Sequence, residues 1–261
     1  SDWRLEEVWQ NSAGRRKMSS TMAGIIPVSG QPLGYDMPWH DCLMPLAPDY
    51  LMIDRAVAEC AYAGCSTIWI VCNDDMQPLI RHRIGEKIYD PVYENRHFEK
   101  FKNEARKPIR IYYVPISTRD LGKRDCLSWC VLHAVSTVSK VAGAISTWLR
   151  PEKYYISWPY CYYDPALVRE YRKDFLNNNI VLASAGGNVT DGLQMGFTLT
   201  EDQASSLRSE VKVKSSGLWS DPHTRDSRLP LHERFSYKNF SISEVFDSLK
   251  EEPYEERYIE E

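Results

Sequence analysis

The sequence predicts an α/β fold: a single domain on a mainly parallel, mixed sheet flanked by helices. Three observations carry this. Short apolar runs rich in β-branched residues alternate at least four times with helix-period segments over the first two thirds of the 261 residues, which implies parallel strands joined by crossover helices. The runs GIIPV (24–28) and TIWIVC (67–72) are apolar throughout, as strands covered on both faces are. No internal repeat or low-complexity linker divides the chain.

Taken in order, residues 1–22 read as a polar N-terminal arm, 23–250 as the domain and 251–261 as an acidic, solvated tail. The strand at 24–28 runs into the loop SGQPLGYDMPWHD (29–41), whose two glycines and two prolines forbid regular structure. Leu51, Ile53, Ala56, Val57, Cys60 and Ala61 recur at helical spacing, with Asp49 as the expected N-cap of a helix from Tyr50 and Gly64 as its C-cap. After the strand at 67–72, MQPLIRHRIGE reads as a helix ending at Gly85, and 87–107 as an irregular surface insertion. A third strand (109–116) leads to the loop STRDLGKRDC, an amphipathic helix (127–144), a fourth strand (154–158) and a helix (166–175). Further on, strands are expected at 180–184 and 193–199, a short helix at 201–207, an edge strand at 211–214 and a terminal helix at 241–250, begun by Ser243 or Ser241 with Glu244 nearby, close to a capping box. Right-handed crossovers would place the loops 29–41, 117–124 and 159–165 along one sheet edge, where such folds bind ligands.

Composition narrows the function classes. A net charge of −4 argues against a dedicated nucleic-acid binder, whose affinity comes mainly from neutralising phosphates. No apolar run approaches the roughly 20 residues that span a bilayer, and the first residues lack a signal peptide's apolar core. The expectation is a cytoplasmic protein without a membrane partner, for which the sequons at Asn188 and Asn239 have no consequence. The seven cysteines include no CxxC pair and sit mostly in apolar segments, as buried free thiols do.

The order of motifs resembles the sugar-phosphate nucleotidyltransferases, which join a nucleoside triphosphate to a sugar 1-phosphate and release pyrophosphate. IIPVSGQPLG (25–34) stands for that family's first strand and glycine-rich loop, LMPLAPDYLMIDRAVAECAYAG (43–64) for its P-K-x-L-L-P-V segment and helix, and TIWIVCNDDMQPLIRHRIG (67–85) for the returning strand. IYYVPISTRDLGKRDCLSWCVLHA (111–134) is similar to its next strand, L-G-T turn and helix, and KYYISWPYCYYDPALV (153–168) to its following strand and D-P-x-L segment. The resemblance covers roughly residues 24–175. It implies a Rossmann-like nucleotidyltransferase or glycosyltransferase-A (GT-A) type sheet, a nucleoside triphosphate or nucleotide sugar as ligand, and Mg²⁺ held by carboxylates. It also implies a phosphate cradle beginning at Ser29, Gly30 and Gln31, with Gly34 allowing a second close backbone approach.

The chain departs from the family where charge matters. The loop arginine is absent, Asp41 stands where the family has lysine, Tyr160 where it has a metal-binding aspartate, and Lys238 near the second such aspartate, with Asp164 the nearest substitute carboxylate. Arg119, Lys123 and Arg124, around Gly122, put three cations on the loop after the third strand, either as contacts for an anionic ligand or as a solvated charged loop. Asp74 and Asp75 are a metal or ribose pair, or charges favoured at a helix N-terminus. His40 is an acid, base or phosphate contact, or structural. Asp221, His223, Arg225 and Asp226 form a polar cluster with either role, and His133 reads as packed. Three functions remain open: a diverged nucleotidyltransferase that binds a nucleotide or sugar phosphate, a pseudoenzyme that binds a nucleotide or a protein partner on the same fold, and a nucleotide-sugar glycosyltransferase.

Overall fold

In a computed structural model, residues 21–28, 40–94, 108–121, 124–146, 149–216 and 240–259 are described. The strands are β1 (Met22–Pro27), β2 (Pro45–Ala47), β3 (Tyr50–Leu51), β4 (Thr67–Val71), β5 (Lys87–Tyr89), β6 (Pro108–Val114), β7 (Lys153–Ile156), β8 (Ile180–Ala183), β9 (Phe197–Leu199) and β10 (Glu255–Tyr258). The principal helices are α1 (Met52–Ala63), α2 (Gln77–Ile84), α3 (Leu127–Ile145), α4 (Glu201–Ser216) and α5 (Ile242–Phe246).

Eight strands make one sheet in the order β10-β8-β9-β7-β1-β4-β6-β5. The centre is parallel: β1 pairs with β4 and β7, and β4 with β6. All strands of this sheet but β5 and β9 run one way, as the strand–helix alternation predicts. Period-two alternation sends Ala23 and Ile25 of β1 into the core under α3, α4 and α5, and Met22 and Ile26 into the core under α1. Gly24 faces α1, where an added Cβ would lie 2.7 Å from Cys60 Sγ, so α1 packs close onto the central strand. None of the seven cysteines, six buried and Cys161 half-buried, is in a disulfide. Among the described residues no helix is long and apolar enough to cross a membrane.

Several expectations are corrected. Helix α1 starts at Met52, not Tyr50, because Tyr50–Leu51 pair antiparallel with Pro45–Ala47. Asp54 takes the capping role and accepts from Leu51 N at 2.8 Å, while Asp49 sits in the hairpin turn at φ 56° and pairs with Arg83. The region after α2 is not wholly irregular: β5 pairs antiparallel with β6, and residues 95–107 lie outside the described residues. Residues 201–216 form one helix rather than a helix and an edge strand. Ala204, Leu207 and Val211 are buried at helical spacing, and the alternation of 211–214 has Val213 71% exposed. The 166–175 helix is a 3-10 helix over Pro165–Tyr171 and a single α turn over Asp174–Asn177. The acidic tail, expected to be solvated, supplies β10, parallel to β8, with Ile259 buried beyond it. Of the two expected helix starts Ser241 is the cap, its box closed by Ser241 N to Glu244 Oε2 at 2.8 Å and Glu244 N to Ser241 Oγ at 3.2 Å.

Candidate functional site

The chain builds β1, β4 and β6 outward in one direction and then returns to lay β7 on the other side of β1. Strand order therefore reverses between β1 and β7, and ligands of open α/β sheets bind outside the carboxyl ends of strands at such a point. Two strands end there: β1, with Val28 just after it, and β7, followed by Ser157–Tyr163. Backbone pairing continues slightly past the strands, through Val28 N to Val71 O (2.8 Å) and Ser157 N to Ile25 O (3.0 Å). Tyr160 bridges the crevice, its hydroxyl donating to Val28 O at 2.6 Å. His40 lies close by, its ring centroid 6.1 Å from that of Tyr160.

Under the crevice is a buried charged network. Arg55 and Glu59 of α1 are both 0% exposed and ion-paired at 2.8 Å. Glu59 also accepts from Tyr155 Oη (2.6 Å), Ser157 Oγ (2.7 Å) and Tyr163 Oη (2.5 Å), while Arg55 Nη2 donates to Trp158 O at 2.5 Å. These bonds pin the segment after β7 to α1. Burial first, then the Glu59 charge, pushes the Tyr155 and Tyr163 phenols well up, so both keep their protons and donate. Burial alone would lower the Arg55 guanidinium, but the Glu59 carboxylate holds it above its ordinary value. Gly196 closes over the network: a Cβ there would lie 2.3 Å from Tyr155 Oη and 2.7 Å from Glu59 Oε1. The sequence does carry a signal for this pair. Arg55 and Glu59 are four apart and so share one side of α1, beside the apolar positions 52, 53, 56, 57, 60 and 61, which cover about half the helix circumference.

Ser29, Gly30, Gln31, Gly34, Gly122 and Lys123 lie outside the described residues, as do Asp221, His223, Arg225, Asp226 and Lys238. Arg119 is exposed in the turn after β6. Arg124 is engaged within the fold: it pairs with Asp120 at 2.9 Å, donates to Ser215 Oγ at 2.8 Å and stacks 4.9 Å from the Trp129 ring centroid. Asp41 is buried, 4% exposed, in the turn 41–43. His40 caps that turn, with Nδ1 accepting from Cys42 N at 3.3 Å. Burial lowers the His40 pKa against the opposing charges of Asp41 and Asp75, which favours the neutral ring. Asp74 and Asp75 are exposed beyond β4, Asp75 accepting from Met76 N just before α2. His133 is packed against the chain after β6, its Nε2 3.1 Å from Pro115 O. The nearby Cys42 and Cys72 thiols are pushed up to about 12, by burial first, and are protonated at neutral pH.

No protein-family model matches the chain, and no curated protein sequence does. Solved structures do. A putative glucose-1-phosphate thymidylyltransferase from Bacillus anthracis, solved with sucrose, is similar at a TM-score of 0.53 and 11% identity, over 92% of this chain and 87% of that one. The 4-diphosphocytidyl-2C-methyl-D-erythritol synthase of Anaerococcus prevotii aligns at a TM-score of 0.48 and 8% identity, over 92% and 87% of the two chains. A UDP-glucose pyrophosphorylase complexed with UDP-glucose aligns at a TM-score of 0.44 and 13% identity, over 72% and 79%. The first likeness establishes the fold: this chain has the α/β architecture of the nucleotidyltransferases.

Proposed function

We propose that the chain binds a nucleotide or nucleotide sugar in the crevice between the carboxyl ends of β1 and β7. The observation that carries this reading is the reversal of strand order at that place, with Val28 and Ser157–Tyr163 leaving the sheet side by side. Ser29, Gly30, Gln31 and Gly34 would supply backbone N–H groups to phosphates, and Arg119 and Lys123 a cationic rim. Arg124, already tied to Asp120 and Ser215, would steady that rim.

The described residues do not fit the divalent ion that the family uses. Tyr160 stands at the position matched to its metal-binding aspartate and spends its hydroxyl on Val28 O. Among the described residues no group of three His, Cys, Asp or Glu side chains is placed to hold a metal. This favours binding without metal-assisted nucleotidyl transfer, the pseudoenzyme reading. A thermal-shift screen of nucleoside triphosphates and nucleotide sugars, with and without Mg²⁺, tests it. A ligand at a hundred times its Kd stabilises by about 2.7 kcal/mol, so a shift independent of Mg²⁺ is expected. No shift at millimolar nucleotide would defeat the proposal, and a strictly Mg²⁺-dependent shift would return the chain to the enzymes. Arg119→Ala with Lys123→Ala should weaken the shift without lowering the melting temperature of the free protein.

A further inference from the structure

The face of the sheet away from α1 carries a groove that the crevice does not use. Helices α3 and α4 run antiparallel along it: Arg124, before α3, bonds Ser215 near the end of α4, and Ser139, late in α3, donates to Glu201 at the start of α4 at 2.5 Å. Between them lies a cavity of about 190 Å³, with Ser136, Lys140, Arg150, Glu201, Ser205 and Arg208 around it. Pockets that hold drug-sized ligands run about 300–1,000 Å³. A small polar group fits this one, and a whole nucleotide does not.

Positive charge is in excess there. Glu201 is occupied by Arg150 at 3.1 Å and by the Ser139 hydroxyl, and Asp120, farther along the groove, is occupied by Arg124. Among the described residues, Lys140 and Arg208 have no carboxylate partner, and Arg208 Nε is a buried donor without an acceptor. The Arg208 guanidinium lies 5.4 Å from the Trp129 ring centroid, a contact that orients its plane and leaves its charge uncompensated. The field reaches the next turn of α4. There Arg208 above all, then burial and Arg124, holds the Lys212 ammonium below its ordinary range.

We propose that the α3–α4 groove is a second anion site, separate from the crevice, that takes a phosphoryl group between Arg208 and Lys140. A guanidinium held in plane offers the paired donors that phosphate oxygens accept, and Ser136 and Ser205 bring hydroxyls to the same space. The site lies toward the amino ends of the parallel strands. Its Arg150 carbonyl accepts from Thr21 Oγ1 just before β1 begins, whereas the crevice is at the carboxyl ends, so one ligand does not fill both.

Calorimetric titration of inorganic phosphate, and separately of glycerol phosphate, into the full chain at fixed ionic strength tests the assignment, with chloride as the control anion. Saturable phosphate binding is expected, weakened at least tenfold by Arg208→Gln and by Lys140→Ala. Tighter glycerol phosphate binding would identify a phosphorylated molecule as the natural source, and equal affinity free phosphate. No saturable binding, equal binding of chloride, or affinity unchanged in the variants would overturn the proposal. Should Arg208→Gln fail to fold, the exposed Lys140→Ala decides alone. The nucleotide thermal shift of Lys140→Ala should match that of the unaltered chain, which keeps the fate of this site distinguishable from that of the crevice.

Discussion

The two faces of the sheet hold charge in opposite ways. Under α1, Arg55 and Glu59 are wholly removed from water, and Glu59 accepts from one guanidinium and three hydroxyls. Between α3 and α4, Arg208 is half-buried and Lys140 exposed, and the nearest carboxylates are already taken. A buried charge paired with an opposite one resists change and fixes the backbone around it, even though Arg55 Nε, like Arg208 Nε, has no acceptor among the described residues. An incomplete pair at a cavity mouth is where an outside anion lowers the energy. The contrast assigns α1 to scaffolding of the crevice and the α3–α4 groove to recognition.

The largest test breaks the paired side. Glu59→Leu leaves Arg55 buried without its carboxylate and is expected to cost about 3–5 kcal/mol, measured by urea denaturation. Arg55→Met added to Glu59→Leu should recover most of that loss, since a buried pair replaced by apolar groups is often neutral. A cost under about 1 kcal/mol for the single variant would mean that the pair behaves as a surface one and that the contrast is false. Next in size, Gly196→Ala forces a Cβ against Tyr155 Oη and Glu59, and overpacking of this kind costs about 1–3 kcal/mol. A neutral Gly196→Ala would show that the network yields easily. Tyr160→Phe removes the bridge to Val28 O, and loss of about 1 kcal/mol is expected. If its nucleotide shift is unchanged in size, the bridge plays no part in shaping the crevice.

The smallest expected effect is on pH dependence. Burial lowers the pKa of His40 and of His133 in the folded chain, so the unfolded chain takes up protons first as pH falls. Their contribution is present in full above the ordinary histidine pKa of about 6.5 and is lost as pH drops through that value toward the folded pKa. Melting temperatures recorded across this interval should decline, and His133→Asn should flatten part of the decline. A flat profile in the unaltered chain would show that neither ring is held neutral by the fold.

The central sheet was legible because fully buried parallel strands are written as unbroken apolar runs, as in TIWIVC and GIIPV. Short edge strands were not. Lys87–Tyr89 and Glu255–Tyr258 are set by backbone pairing to β6 and β8, and their side chains, exposed or half-buried, leave no apolar signature. The alternation of Val211–Lys214 imitated a strand, although Ala204, Leu207 and Val211 were already at helical spacing. Asp49 looked like a cap because sequence shows proximity to a helix and not the hairpin turn that intervenes. At the site, the alternation of strands and helices pointed to the sheet edge that the loops 29–41, 117–124 and 159–165 share. The Arg55–Glu59 network escaped notice because its hydroxyl partners come from residues 155–163, about a hundred positions away. Arg124 was read for its charge, and its partners Ser215 and Trp129 become visible only once α3 and α4 pack.

The two flanks of the sheet bear on the protein's behaviour in a crowded solution. An open strand edge is a template for another chain's backbone, and natural sheets blunt it with short strands and charge. Here β5 opens on Lys87, and β10 carries Glu255 and Glu256, both exposed, with Arg257 tied to Glu255 at 2.5 Å. Opposite charges thus mark opposite flanks. Stacking of like flanks, β5 on β5 or β10 on β10, is opposed by repulsion, whereas charge does not oppose β5 meeting β10, which only the shortness of the two strands limits.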